Sequence, residues 1–413
     1  MENLDSILAK AKAASYKLAA LNTNEKNNIL KEISDVLVLN KDKIICANAK
    51  DLENAKLNNI SASFLDRLKL DDKRIDMLAY SIIDLVKLDD PIGKVISKFT
   101  QNDGLNITKI SVPFGVICAI YEARPNVTVD ISMMCIKCSN ACVLRGGKEA
   151  YNTNVALVDL MKSVLKKYGL EDSIYLISDL RHEVVDMLIT KKDYIDLVIP
   201  RGGKSLINNV VSKASVPVIE TGAGNCHIYV EKTANFDMAI NVIINAKVQR
   251  PSVCNAVESI LVDEDISKAF LPKLKDSLDK YGVEIRGCEK SAEIIDCKKA
   301  SDDDYYQEYN DLVLSLKIVK DYKEAINWIN KYSTHHSDAI ITEDSTIVDV
   351  FFKGVDSACV YHNASTRFTD GGCFGYGAEV GISTQKLHAR GPMGLNELTT
   401  YKYIIEGKGQ VRK

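Results

Sequence analysis

From about residue 95 the chain alternates short β-prone runs with helical segments, and this alternation constrains the fold more than any other feature. The runs "VICAIYE", "ACVLRG", "IYLIS", "IDLVIP" and "PVIET" are apolar, mostly rich in β-branched residues, and read as strands. Between them, "VTVDISMMCIKC", "KEAYNTNVALVDLMKSVLKKY" and "KSLINNVVSKA" carry apolar residues at helical spacing. Such alternation implies βαβ units and a mainly parallel sheet, hence an α/β fold. A second block of the same texture starts near "NCHIYVE" (225–231) and runs to about residue 375. Its expected strands are "SILVDE", "LVLSLKIV", "DAIITE" and "ACVYHN".

The flanks differ. Residues 1–90 read as helices, with Thr23 a candidate N-cap for "TNEKNNILKEISDVLVL" and Pro91 ending "DKRIDMLAYSIIDLVKL". "SKFTQNDGLNITKISVPFGV" holds Asn-Asp-Gly between extended segments, which is a hairpin signal, and "ELTTYKYIIEGKG" is β-prone. At 413 residues the chain exceeds what one core serves, so two or more domains are expected. With 46% hydrophobic and 26% charged residues it has the balance of a soluble globular protein. A net charge of −3 supplies no basic excess for nucleic acid or an anionic membrane. The opening residues lack the flank and apolar core of a signal peptide, and no apolar run nears ~20 residues, so a cytoplasmic location is expected.

Eleven cysteines, an odd number in scattered apolar contexts, read mostly as small buried hydrophobes. Cys135 and Cys138 have a metal-like spacing but no second pair, and with Cys142 they follow helical spacing into a strand. Packing is the preferred reading, and no metal is expected.

The dinucleotide fingerprint G-x-G-x-x-G is absent, and Val198 stands where a P-loop needs glycine. Two strand–loop–helix junctions remain, "VLRGGKEA" (143–150) and "VIPRGGKSL" (198–206). Glycines let a backbone approach a ligand, and helix N-termini favour anions. Either loop alone is equally well an ordinary βα turn; the two together favour a phosphorylated cofactor. Cys254 lies between Arg250-Pro251, which ends the helix "FDMAINVIINAKV", and the apolar run "NAVESILV". A thiol there is placed to face a cleft, with cationic neighbours that lower its pKa. A packed cysteine fits the same local pattern. His227, in alternating "GNCHIYV", reads as a core group.

The segments "VPFGVICAIYEARPNVTVD", "NACVLRGGKEA", "GNCHIYV", "QRPSVCNAVESILV", "HHSDAIITED" and "NASTRFTDGGCFGYGAEVGISTQKLHARGPMGLNELTTYKY" together resemble the aldehyde dehydrogenase superfamily. Within it they resemble the γ-glutamyl phosphate reductase branch, over almost the whole chain. The resemblance implies that Cys254 is the nucleophile, attacking L-glutamate 5-phosphate to form a thioester that NADPH reduces to the 5-semialdehyde in proline biosynthesis. It implies that Asn126 completes the oxyanion hole with the cysteine's own N–H, although an Asn capping the helix after Pro125 fits that position too.

Cofactor contacts are expected from Arg145, Lys148 and Glu149 in the first glycine loop and from Arg201, Gly202, Gly203 and Lys204 in the second. Glu308 would hold the nicotinamide ribose, with a solvated glutamate as the alternative. Charge complementarity assigns the substrate to Ser365, Thr366 and Arg367 for its α-carboxylate and to Arg124 and Arg250 for its phosphate. Glu220 falls where hydrolytic relatives keep a water-activating base; a reductase has no use for one, so it is left out. The implied architecture is a Rossmann-like NADP-binding domain (1–96, 111–222, 380–397) and a catalytic domain (223–379), with the site in the cleft between them. An oligomerisation β appendage (97–110, 398–413) would make the protein a homodimer or homotetramer. Glutamate 5-kinase, which makes the labile substrate, is the expected partner. A hydrolytic aldehyde dehydrogenase and a non-catalytic redox sensor are the rival readings.

Overall fold

The computed structural model describes residues 3–58, 60, 62–122 and 124–412, leaving out the side chains of Ala62, Ser63 and Lys204. The chain divides into two compact units. The first comprises residues 1–221, 375–381 and 393–413, and the second residues 222–374 and 382–392.

The first unit opens with the helices Leu4–Ala19, Thr23–Leu39, Lys41–Leu57, Ala62–Leu68 and Asp72–Lys87. The cap of the second of these is Asn22, not Thr23. The Asn22 side chain accepts from the Glu25 N–H at 3.1 Å, and the Glu25 carboxylate accepts from the Asn22 N–H at 2.8 Å, a reciprocal box. Thr23 instead donates its hydroxyl to Asp90 at 2.7 Å.

The central sheet is parallel, in the order Ile174–Leu176, Ala141–Gly146, Val116–Tyr121, Leu197–Arg201. Its two middle strands are buried along their whole length, which explains their unbroken apolar sequence. "PVIET" does not become a strand. Pro217 has no N–H to donate, and Val218 makes a lone bridge to Val198. After Val116–Tyr121 the chain steps outward twice and then returns to that strand's other side. The order therefore reverses between Val116–Tyr121 and Leu197–Arg201, and α/β sheets bind ligands beyond the strand ends at such a reversal.

A separate antiparallel sheet has Asn106–Pro113 at its centre, between Val95–Thr100 and Thr399–Glu406. The hairpin turns where Asn-Asp-Gly predicts it. Gly104 adopts φ +86°, open to glycine without strain, and donates to the Gln101 carbonyl at 2.8 Å. Phe99, Tyr401, Tyr403 and Ile405 are exposed on it.

The second unit holds a seven-stranded parallel sheet, ordered Lys298–Lys299, Glu284–Gly287, Val313–Val319, Val257–Asp263, Cys226–Val230, Ser337–Ile341, Cys359–His362. The first two strands escape sequence reading because they are short and polar, with Glu284 and Arg286 alternating with buried Ile285. Helices Phe236–Val248, Glu264–Asp279, Tyr322–Tyr332 and Ser345–Gly354, with the single turn Glu289–Ala292, belong to the same unit. Phe270, Leu271 and Leu274 sit in one apolar cluster with Ile260, Leu314 and Leu316 of the sheet.

Cys118, Cys135, Cys138 and Cys142 are packed core residues of the first unit. Among the described residues no group of His, Cys, Asp or Glu is arranged to hold a metal. No helix among them is long and apolar enough to cross a membrane.

Candidate active site

Helix Phe236–Val248 and strand Val257–Asp263 are joined by a turn that presents Cys254 half-buried. Its backbone is held from three sides. The Cys254 carbonyl accepts from the buried Cys226 thiol at 3.2 Å. Gly224 packs so closely that a Cβ there would lie 1.4 Å from the same oxygen. The next residue, Asn255, donates its side-chain amide to the Thr369 carbonyl at 2.8 Å, while its own carbonyl accepts from the Thr366 hydroxyl at 2.8 Å.

Arg367 closes this arrangement. Its guanidinium donates to the Asn255 side-chain oxygen and, through Nε, to Gln249 at 3.2 Å. Burial and then the neighbouring Arg250 lower its pKa, and both Asp370 and Cys254 interact with it. A guanidinium remains charged through such shifts, so the turn bears two cations. The structure thus brings Arg367 from a distant part of the sequence to the short stretch that carries Arg250 and Cys254. It turns Ser365 and Thr366 to the fold: Ser365 accepts from the Arg367 N–H, and Thr366 is fully buried on Asn255.

Glu308 is not a solvated residue. One carboxylate oxygen accepts from the Gly224 N–H at 2.8 Å, tying Glu308 to the glycine that backs Cys254. The segment around it is anchored by Lys247 and Glu258, a fully buried pair 2.6 Å apart. Lys247 also donates to the Asp311 carbonyl at 3.0 Å, and Glu258 accepts from the Asn310 N–H at 3.3 Å, where the backbone has φ +56°. Burial pushes the Glu258 carboxyl up and the Lys247 ammonium down. Lys247→Met would strand Glu258 without its partner, and such losses cost about 3–5 kcal/mol. Thermal or urea unfolding of K247M should show a loss of that size; a shift below about 1 kcal/mol would mean that the pair anchors nothing.

In the first unit the other candidates gather at the strand reversal. Glu122, just past Val116–Tyr121, accepts from the Gly203 N–H at 2.9 Å. A Cβ on Gly202 would meet that carboxyl and Leu206 at 2.7–2.8 Å, so the loop must be bare there. Arg201 is half-buried; the side chain of Lys204 lies outside the described residues. Lys148 is exposed and Glu149 half-exposed past the end of Ala141–Gly146. Arg145 departs from expectation. It is buried, and its Nη atoms donate to the carbonyls of Gly146, Leu180 and Arg181, so it braces two loops instead of facing outward.

Asn126 is the second residue of helix Pro125–Lys137, and exposed Arg124 occupies the cap position without making a side-chain cap hydrogen bond. Asn126 therefore does not cap the helix; its Nδ2 donates to Asp130 at 3.1 Å. In the second unit His227 is fully buried against Asn225 and Asp338, as a core histidine should be.

Sequence reasoning missed Gly224, Cys226, Asn255, Asp130 and the Lys247–Glu258 pair. The pair did leave a signal, since each charge interrupts an apolar run, "INAKV" and "AVESILV". Asn255 and Cys226 left none, because their partners are remote in sequence.

The sequence model of the aldehyde dehydrogenase family matches residues 1–294. The γ-glutamyl phosphate reductase of Caldanaerobacter subterraneus is 52% identical over 406 residues, 98% of each chain. The crystal structure of γ-glutamyl phosphate reductase from Thermotoga maritima superposes with a TM-score of 0.98 at 46% identity, covering 100% of both chains. An acetylating aldehyde dehydrogenase from Geobacillus thermoglucosidasius, at 16% identity and a TM-score of 0.71 with both chains fully covered, shares the fold. With the family sequence model matching most of its length and a relative more than half identical along almost all of it, the chain belongs to the aldehyde dehydrogenase family and, within it, to the γ-glutamyl phosphate reductases.

Proposed function

We propose that the protein reduces L-glutamate 5-phosphate to L-glutamate 5-semialdehyde and phosphate with NADPH, the second step of proline biosynthesis from glutamate, through a thioester on Cys254. The observation that carries this reading is the clamped turn bearing Cys254, where Arg367 bonds Gln249 and Asn255 and interacts with both Cys254 and Arg250. Two cations next to a half-buried thiol favour its thiolate and suit a phosphorylated, carboxylate-bearing substrate. We accordingly assign Arg367, with Arg250, to the substrate's anionic groups and leave Ser365 and Thr366 as supports. Arg124 remains a candidate on the phosphate side.

The thiolate attacks the acyl carbon, the carbon–oxygen bond to phosphate breaks, and phosphate leaves with the electron pair. The Cys254 N–H and the Asn126 amide stabilise the negative charge that develops on the acyl oxygen. After reduction that oxygen's electrons re-form the carbonyl, the carbon–sulfur bond breaks, and the aldehyde departs as the thiolate is restored.

Residues at the strand reversal fit a nicotinamide nucleotide: bare glycine backbone at Gly202 and Gly203, with Lys148 and Glu149 at the neighbouring strand end. Arg201 and Lys204 flank the same loop. Lys148 is the cation available for a ribose phosphate, and Glu149 and Glu308 are the acceptors for ribose hydroxyls. Arg145 is left out because it is buried and its Nη groups bond loop carbonyls. When bound, the cofactor supplies the hydride. We extend the proposal to a cytoplasmic homo-oligomer, supported by the apolar side chains exposed on the three-stranded sheet, and to supply of the acyl phosphate by glutamate 5-kinase.

The reverse direction gives the test. NADP⁺ reduction with glutamate 5-semialdehyde should require inorganic phosphate. Turnover without phosphate would select a hydrolytic aldehyde dehydrogenase, and absence of turnover in both conditions would favour a redox sensor.

A further inference from the structure

We infer that Asp130 is a positioning residue for the reaction, holding the Asn126 amide with its nitrogen available to the acyl oxygen. This rests on the reading of Asn126 as an oxyanion donor.

Asp130 is an acid in a costly place. It sits mid-helix, too far into Pro125–Lys137 to cap the helix, and faces a wall of Ile82, Leu85, Met133 and Ala378, with Ser81 beside it. Half-buried against such groups, a carboxylate loses part of its hydration and is unfavourable there unless it is bonded. The bond it makes is to Asn126, one helical turn earlier, at 3.1 Å from Nδ2. An amide side chain has two ends of opposite polarity, and a neighbour that only accepts decides between them. Ionised Asp130 can only accept. It therefore fixes nitrogen, not oxygen, on its own side and leaves the second N–H of Asn126 directed elsewhere.

A protonated Asp130 has an O–H to donate and admits the reversed amide. Burial raises its pKa, to about 6; Asn126 and Arg201 oppose that rise, and Glu379 adds to it. Arg201 and Glu379 are the charged groups that face it, and helix Asp72–Lys87 presents no charge to its wall. The sign follows. Above about 6 the carboxylate dominates and the amide is held in the active sense; as pH falls through that value the restraint is lost.

The experiment compares wild type, Asp130→Asn, Asn126→Ala and the double variant in kcat, KM and NADPH affinity between pH 5 and 8. A donor lost from an oxyanion hole costs about 10²–10³ in kcat, which sets the expectation for N126A. D130N should lower kcat roughly ten- to a hundredfold, as misplacement of a reacting group does, with KM and NADPH affinity within about twofold of wild type. It should also abolish the fall in kcat on the acid side near pH 6, and the double variant should be no slower than N126A. Wild-type kcat in D130N, or losses that multiply in the double variant, would overturn the role of Asp130 while leaving Asn126 in place. Wild-type kcat in N126A would remove the oxyanion reading and this inference with it. If D130N does not fold, Asp130→Ser removes the carboxylate without added volume and is read in the same way.

Discussion

Replacing Cys254 with serine is expected to lower turnover by at least about a thousandfold while NADPH affinity stays near that of wild type. Sulfur does two things here that oxygen does poorly. A thiol ionises far more readily than a hydroxyl, and a serine hydroxyl has no base among the residues described at the turn. A thioester also accepts hydride far more readily than an oxygen ester, so even an acylated serine would stall before reduction. The substitution is nearly isosteric, and Cys226, Thr366 and Thr369 hold the turn through the backbone and Asn255, so the fold should survive. Rapid quenching of the wild type with L-glutamate 5-phosphate, followed by peptide mass analysis, should locate a glutamyl group on Cys254 that is absent from C254S. Substantial activity in the serine variant, or an acyl group on another residue, would end the covalent mechanism.

Gly224→Ala is expected to have the next largest effect. The added methyl would lie 1.4 Å from the Cys254 carbonyl oxygen and 2.7 Å from its Cα. These are backbone atoms of the reacting residue, not the far end of a flexible side chain, so either the turn or the Gly224 strand approach must move. Overpacking of this kind costs about 1–3 kcal/mol in stability. The kinetic cost should be larger, since displacing a nucleophile by about 1 Å can lose 10²-fold in rate. The same shift would strain the Gly224–Glu308 hydrogen bond, so KM for NADPH should rise as kcat falls. The measurement is steady-state kinetics beside thermal unfolding. An alanine variant with wild-type kcat would show that the close approach has no bearing on the chemistry.

Much of the fold could be read from the chain because its signals are local. Buried parallel strands announce themselves as apolar runs, and "ACVLRG" and "FDMAINVIINAKV" coincide with their elements residue for residue. Lys298–Lys299 could not be seen, since two exposed lysines become a strand only through the neighbour they pair with. The candidate site divides in the same way. Cys254 and the glycine loops lie in patterned junctions, and the resemblance gave them roles. The Arg367–Asn255 clamp and the inward turn of Arg145 depend on which group a long side chain finds in three dimensions, and no spacing rule carries that. Thr23 misleads for a smaller reason: two adjacent residues both suit an N-cap, and Glu25 decides for Asn22 by completing the reciprocal pair.

The first unit is stitched from three stretches of chain, and its final pieces come last. Leu395 and Leu398 offer carbonyls to Cys138 and Asn140, and Thr399–Glu406 supplies an outer strand to Asn106–Pro113. A nascent chain leaving the ribosome therefore exposes the helices and parallel strands of this unit well before their closing residues exist, whereas residues 222–374 emerge almost as a self-sufficient body. Synthesis should accordingly deliver the second unit folded while the earlier-made one waits, and loss of the last fifteen or so residues should harm the oldest part of the chain first.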